Sequence, residues 1–404
     1  MVEGYDDLVA GKATELTGVT CPDDETLVVK LTSAYADFPF VASHPALSPV
    51  PECAETDVKS FYLAPVGNGP FMMDGKWEDG QEINLKKFDD YYGDKAKIDA
   101  IHFQVIKDVE TAYKEFQAGN LDVCDVPVAQ IDAAKKDRGE SKDGYTMSDG
   151  TRMLLGSEPS TYYLTCNTTA EPFNNADLRR GISLAINREA ICKTIFKGTR
   201  TPADGIVPPG IAGYKEGAWE FCAYDVDKAN EYLDKVAPAG ANGDRGINVT
   251  LSYNQDGGHK EIMESIIGDL AKVGVTAVSD TPEWSALLEQ YQNFNYQFGR
   301  LGWIADYPIM DNFLYPLFHS DSLGGDNRSG YSNPDFDAKV DEARATVDDD
   351  ERIAKMQEAD AMVAADCPVI PVMFYTHTIA GSDRVKYLYV DPQKHADLGT
   401  AELA

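Results

Sequence analysis

Arg300, Trp303 and Asp306 stand at intervals of three residues in the run Arg300-Leu-Gly-Trp303-Ile-Ala-Asp306, with Trp284 upstream of them. Each side chain suits one part of a small charged ligand. A guanidinium forks onto a carboxylate, and an aspartate makes a charge-assisted bond to an ammonium group. Trp303 and Trp284 offer flat apolar walls. A strand end running into a loop could turn Arg300, Trp303 and Asp306 towards one cleft, which would suit a zwitterion such as a short peptide. The alternative is structural: Arg300 and Asp306 pair with each other or with surface neighbours, and Trp303 belongs to the core. The remaining tryptophans, Trp77 and Trp219, read as packing residues.

No catalytic constellation competes with this run. The histidines His44, His102, His259, His319, His377 and His395 form neither H-x-x-x-H nor H-E-x-x-H, the spacings that set two imidazoles on one helix face for zinc. There is no G-x-S-x-G elbow to expose a nucleophile. Gly67-Asn-Gly69 resembles a phosphate loop, but Pro70 removes an N–H donor and obstructs a following helix. The acidic run Asp348-Asp-Asp-Glu351 lacks the alternation and central glycine of a calcium loop and reads as a helix N-terminal charge cluster. The seven cysteines contain no C-x-x-C pair, which argues against zinc or iron–sulfur ligation. Pairings such as Cys21 with Cys53 or Cys192 with Cys222, and buried free thiols, both fit the spacing. No enzyme activity, metal or cofactor is implied.

The composition is that of a soluble globular chain, and 404 residues call for two or more lobes. A formal net charge of −31 repels nucleic acid and anionic lipid headgroups. No stretch approaches the roughly 20 apolar residues that span a bilayer. The start, Met1-Val-Glu-Gly-Tyr-Asp-Asp, has neither a basic n-region nor an apolar h-region, so an export signal is expected upstream of this chain.

The elements that must position the candidate residues follow from periodicity. Thr26-Leu-Val-Val-Lys-Leu-Thr reads as a strand after the break at Cys21-Pro22. Lys76-Trp77 and Glu82 to Phe88 alternate as an antiparallel pair, and Ile101 to Ile106 is a further strand. A short helix over Glu110 to Gln117 ends at Gly119. Thr161 to Cys166 reads as a strand, followed by a helix from about Asn175 with Leu178, Ile182, Ala185 and Ile186 at helical spacing. Ile247 to Tyr253, a helix buried through Ile262, Ile266, Leu270 and Val273, and Val275 to Val278 make a βαβ unit and hence a partly parallel sheet. Helices are expected over 335–346 and 350–365, and a buried strand over 368–375.

Ten motifs, taken in order, resemble one family. They are Pro65-Val-Gly-Asn-Gly-Pro-Phe71 with Trp77, Phe88-Asp-Asp-Tyr-Tyr-Gly93, Phe116-Gln-Ala-Gly-Asn-Leu-Asp122, Cys166-Asn-Thr-Thr, Pro172-Phe-Asn-Asn-Ala-Asp-Leu-Arg-Arg180, Ala185-Ile-Asn-Arg-Glu189, Gly302-Trp-Ile-Ala-Asp-Tyr-Pro308, Asp311-Asn-Phe-Leu314, Tyr331-Ser-Asn-Pro-Asp-Phe-Asp337 and Pro368-Val-Ile-Pro371. Their order and spacing are similar to the oligopeptide- and dipeptide-binding proteins of ABC importers, the family-5 solute-binding proteins.

The resemblance implies an α/β, two-lobed periplasmic-binding-protein fold of the large peptide-binding type, with mixed sheets, helices and a hinge between the lobes. By that pattern residues 1–63 are the remainder of an accessory subdomain of lobe I, 64–164 lobe I, 165–375 lobe II and 376–404 the return to lobe I, with the front of lobe I missing. The matching positions place Asp306 on a peptide's α-amino group and Arg300 near its carboxylate, with Trp303 and Trp284 alongside. The implied partners are a short peptide and the permease subunits of an importer, for a monomer that works outside the cytoplasm, either lipid-anchored or free. Relatives on this fold that bind oligosaccharide, opine, nickel chelate or haem, or that sense peptides as receptors, are the alternatives.

Overall fold

The computed structural model describes residues 1–77 and 80–404. Its centre is a seven-stranded mixed sheet built from β1 (Val123–Asp125), β2 (Met153–Cys166), β3 (Thr201–Pro202), β4 (Ile247–Ser252), β5 (Val275–Asp280), β6 (Phe298–Ile304) and β7 (Val369–Gly381). The strand order is β5-β4-β6-β2-β7-β1, with β3 added beside β7. β4 pairs in parallel with both β5 and β6, whereas β2 and β7 run antiparallel to each other.

Eight helices matter for the site: α1 (Val109–Gln117), α2 (Ala176–Ala185), α3 (Val226–Val236), α4 (Lys260–Lys272), α5 (Trp284–Gln292), α6 (Asp311–Phe318), α7 (Pro334–Arg344) and α8 (Asp349–Asp366). The expected βαβ unit is present as β4-α4-β5. Ile262, Ile266 and Leu270 on one face of α4 and Val273 just after it are buried against the sheet, each worth about 1.5–3 kcal/mol relative to exposure. Gly274, at φ +76°, ends the turn where a Cβ would stand 2.1 Å from the Gly243 carbonyl oxygen. α2 starts where Asn175 Oδ1 accepts from the backbone N–H groups of Asp177 and Leu178.

Strand alternation divides the sheet between two helical layers. Tyr162, Leu164 and Phe298 face a core completed by α2, α3 and α4, while Tyr163 and Leu301 face a core completed by α5, α6, α7 and α8. At their other ends β2 and β7 enter two smaller cores. Met153 and Ala380 pack with Tyr113 and Phe116 of α1, and Leu154 and Ile379 pack with Val385 and Leu388. The two long strands thus join two sets of cores. Their middle is polar, with Glu158, Ser160, Thr161 and His377 buried there, and β7 shifts register between Pro371 and Met373 and again between Phe374 and Thr376. Bulges of this kind let a strand bend.

The small sheets correct one expectation. Glu82–Lys87 pairs with Phe71–Met73 and Ala100–Gln104, not with Lys76-Trp77. The Trp77 ring instead lies tilted against Tyr62, and the Trp77 backbone N–H donates to the Leu63 carbonyl. β2 begins at Met153, well before the expected Thr161, and β7 runs on to Gly381, beyond Tyr375. Val385–Tyr389 pairs with Thr146–Ser148, so the tail returns to the smaller cores. All seven cysteines are free thiols, with Cys21 and Cys53 exposed and the rest buried. Neither Cys21 with Cys53 nor Cys192 with Cys222 is bridged. No helix of the described residues is long and apolar enough to cross a membrane.

Candidate functional site

β6 carries Phe298, Arg300, Gly302 and Ile304 on one face and Leu301 and Trp303 on the other, because strand side chains alternate. The strand stays regular through Ile304, so Arg300 and Trp303 point to opposite sides of the sheet. This corrects the expectation that Arg300, Trp303 and Asp306 turn into one cleft. The four candidate residues form two pairs, Arg300 with Trp284 and Trp303 with Asp306.

Arg300 lines a cavity of about 610 Å³ together with Trp284, Tyr162, Tyr375, Arg200 and Asn254. An adjoining cavity of about 630 Å³ shares Arg200, Trp284, Arg300 and Tyr375 and adds Asp125, Glu158 and Lys394 from the side of the smaller cores. The space therefore lies where the two sets of cores meet. Gly302 leaves the room that Tyr375 needs, since a Cβ there would stand 3.0 Å from its hydroxyl oxygen. Arg300 Nη2 donates to that hydroxyl at 3.2 Å, and Nη1 reaches Asn254 Oδ1 at 3.4 Å. Its guanidinium lies 5.2 Å from the Tyr162 ring and 5.7 Å from the Trp284 ring. Its Nε is buried without a partner among the described residues. Trp284, on the first turn of α5, is 40% exposed and open to the cavity.

His259 closes the back of the same cavity, with Nδ1 3.2 Å from the Tyr162 hydroxyl. Burial, and then the positive charge of Arg300, push its pKa down to about 3, so the ring is neutral at physiological pH. It serves as a polar wall, not a third cation.

Further along β6, Trp303 packs against the core of α5 to α8, and Asp306 just past its end is exposed. Asn312, on α6 and 1% exposed, ties them together. Its Oδ1 accepts from Trp303 Nε1 at 3.1 Å and from the Asp306 N–H at 2.9 Å, while its Nδ2 donates to Asp306 Oδ2 at 3.2 Å. Asp306 Oδ1 also lies 3.6 Å from His44 Nε2. Trp303, Asp306 and His44 line a third cavity of about 340 Å³.

His44 arrives there because the preceding segment is pinned to the helical layer. The Tyr35 hydroxyl bonds Asp311, Asp37 pairs with Arg352 at 3.0 Å, and Arg344 stacks on Tyr35 at 4.2 Å. The buried contacts of this stretch thus go to residues 311–352.

Sequence reasoning did not single out Asn312, His44, Arg200, Tyr375 or His259. Asn312 stood inside a quoted motif, immediately after Asp311, and a buried asparagine there was the available signal. The others come from distant parts of the chain and had none. Among the described residues no group of three or more His, Cys, Asp or Glu side chains is placed to hold a metal ion.

A cleft between two sets of cores joined by two long strands is the architecture of a two-lobed binding protein. The comparisons agree. The description "bacterial extracellular solute-binding proteins, family 5 Middle" matches residues 3–325. The chain is 28% identical over 412 aligned residues to the dipeptide-binding protein DppE of Bacillus subtilis, covering 99% of this chain and 73% of that one. It is 31% identical over 399 residues to the oligopeptide-binding protein OppA of the same organism, covering 95% and 70%. The murein tripeptide binding protein MppA of Escherichia coli shares the fold with a TM-score of 0.81 at 21% identity, over 100% of this chain and 78% of that one. DppA of Helicobacter pylori does so at 0.78 and 24%, over 96% and 74%. The chain belongs to the bacterial extracellular solute-binding proteins, family 5.

Proposed function

We propose that this protein captures short peptides outside the cytoplasm and hands them to the permease subunits of an ABC importer. The observation that carries the reading is the charge layout along β6. Arg300, without an ion-pair partner among the described residues, faces the two large cavities from within the strand, and the exposed Asp306 stands six residues on, past the strand's end, at the smaller cavity. That layout suits a ligand with a carboxylate at one end and an ammonium at the other. Trp284 and Trp303 supply the apolar walls beside each charge. The names of the two Bacillus relatives, dipeptide- and oligopeptide-binding, support the same ligand class.

In this reading residues 64–164 and 376–404 form lobe I, 165–375 lobe II, and 1–63 belong to an accessory subdomain of lobe I that reaches over to Asp306. Closure occurs about the polar middle of β2 and β7. The protein binds and releases its ligand unchanged, acts as a monomer, and works in the periplasm or at the outer face of the cytoplasmic membrane. Thermal-shift screening with di- to hexapeptides tests it. A binder gains stability as ligand exceeds its Kd, by about 2.7 kcal/mol at a hundredfold excess. A flat response to every peptide length would end the peptide assignment.

A further inference from the structure

Arg300 is not alone in its cavity. Arg200 lines both large cavities with it, and the two guanidiniums meet the same tyrosine. Arg200 lies 4.7 Å from the Tyr375 ring centre and 4.1 Å from that of Phe196, while Arg300 bonds the Tyr375 hydroxyl. Stacking of that kind fixes the plane of a guanidinium and leaves its N–H edge free to bond. The one hydrogen bond Arg200 makes among the described residues is a long one, 3.9 Å from Nη1 to the Met373 sulfur. Neither arginine has a carboxylate oxygen within 4.0 Å among the described residues.

That is unusual in a chain with 67 acidic against 36 basic residues. The acids that share the two cavities stand beyond ion-pair distance of both arginines, although buried Glu158 is near enough to Arg200 for each to favour the other's charged form. Asp256 accepts from Asn254 Nδ2 at 2.6 Å, Glu158 is bonded by the Ser160 hydroxyl at 3.3 Å, Asp125 pairs with Lys394 at 3.0 Å, and Glu261 is exposed on the rim. Two partly buried like charges held side by side repel each other and lose hydration, and this is tolerated where an anion completes the site.

We propose that Arg200 and Arg300 form a two-cation receptor that selects peptides whose last residue is Asp or Glu. This rests on the peptide reading above and adds to it. One peptide carboxylate satisfies Arg300 and leaves Arg200 without a carboxylate within ion-pair distance, with only the more distant Glu158 to offset its charge. An acidic last side chain carries a second carboxylate one or two methylenes from the same Cα, within reach of the second guanidinium. Phe196, Tyr162 and Trp284 wall the hydrocarbon between them.

The test uses Ala-based tri- to hexapeptides, each made in two forms ending in Glu or in Gln, titrated calorimetrically into the intact protein. The Glu form should bind at least about tenfold more tightly, the scale of one charge-assisted bond pair. Arg200→Gln, checked for folding by its melting curve, should bring the Glu:Gln ratio to near one, and Arg200→Lys should keep part of it. Equal affinity of the two forms for the unaltered protein overturns the proposal while leaving peptide capture standing. A ratio that persists in Arg200→Gln overturns it as well. Binding of neither form removes both readings.

Discussion

Arg300 within β6 and Asp306 just past its end carry opposite charges held by opposite means. Arg300 is half-buried, sandwiched by aromatic rings and bonded only to neutral oxygens, with its Nε left without a partner. Asp306 is exposed, tied by the amide of Asn312 and touched by His44. Desolvation strengthens an ion pair at the first end, whereas water screens one at the second. A ligand that bridges them should therefore depend more on its carboxylate than on its ammonium.

Removing the stronger end gives the largest effect. Arg300→Ala should weaken peptide binding by about 2–5 kcal/mol, the range for truncating one partner of a desolvated charged pair, as read by calorimetry. A loss smaller than that of the Asp306 variant would invert the comparison. Asn312→Ala acts on the weaker end through its support. It leaves Trp303 Nε1 and the Asp306 N–H without their shared acceptor and should lower folding stability by about 1–3 kcal/mol in urea melts. Asp306→Asn keeps the shape and removes the charge. It should cost about 1 kcal/mol of peptide affinity, with no change for N-acetylated peptides.

The fourth prediction concerns pH and belongs to the Arg300 end. The folded-state pKa of His259 lies below the ordinary histidine value, so below about pH 6.5 the unfolded chain takes up a proton that the folded chain refuses. Its contribution to stability is whole above that pH and is lost as pH falls from about 6.5 towards 3. Between pH 6 and pH 5 the loss should be about 1 kcal/mol, and His259→Gln should abolish that part of the slope. An unaltered slope in the variant would mean that His259 titrates alike in the folded and unfolded chain.

The difference between the two ends also explains what could be read in advance. Residue types and order were legible, because Arg300, Trp303 and Asp306 stand out by chemistry alone. The βαβ unit over 247–280 and the helices over 335–366 were legible because their apolar periodicity is strong. The face each candidate residue takes was not, because it depends on where the strand stops. A strand that ended earlier would have joined Trp303 to Arg300, but β6 continues to Ile304 and parity separates them. The length of β2 was hidden for a related reason. Gly156 and Pro159 weaken the local strand signal ahead of Thr161, and β7 supplies the pairing along this stretch. α6 was missed because Pro316 sits inside it. Arg200 and Tyr375 carry no local signal, since their meeting is made by the pairing of β3 with β7.

The most direct test of the account titrates one peptide in three forms, with free ends, with an acetylated N-terminus and with an amidated C-terminus. Both blocks should weaken binding, and amidation should do so by the larger factor, because it removes the partner of the desolvated Arg300. Three equal affinities would contradict the claim that Arg300 and Asp306 hold the two charges of a peptide.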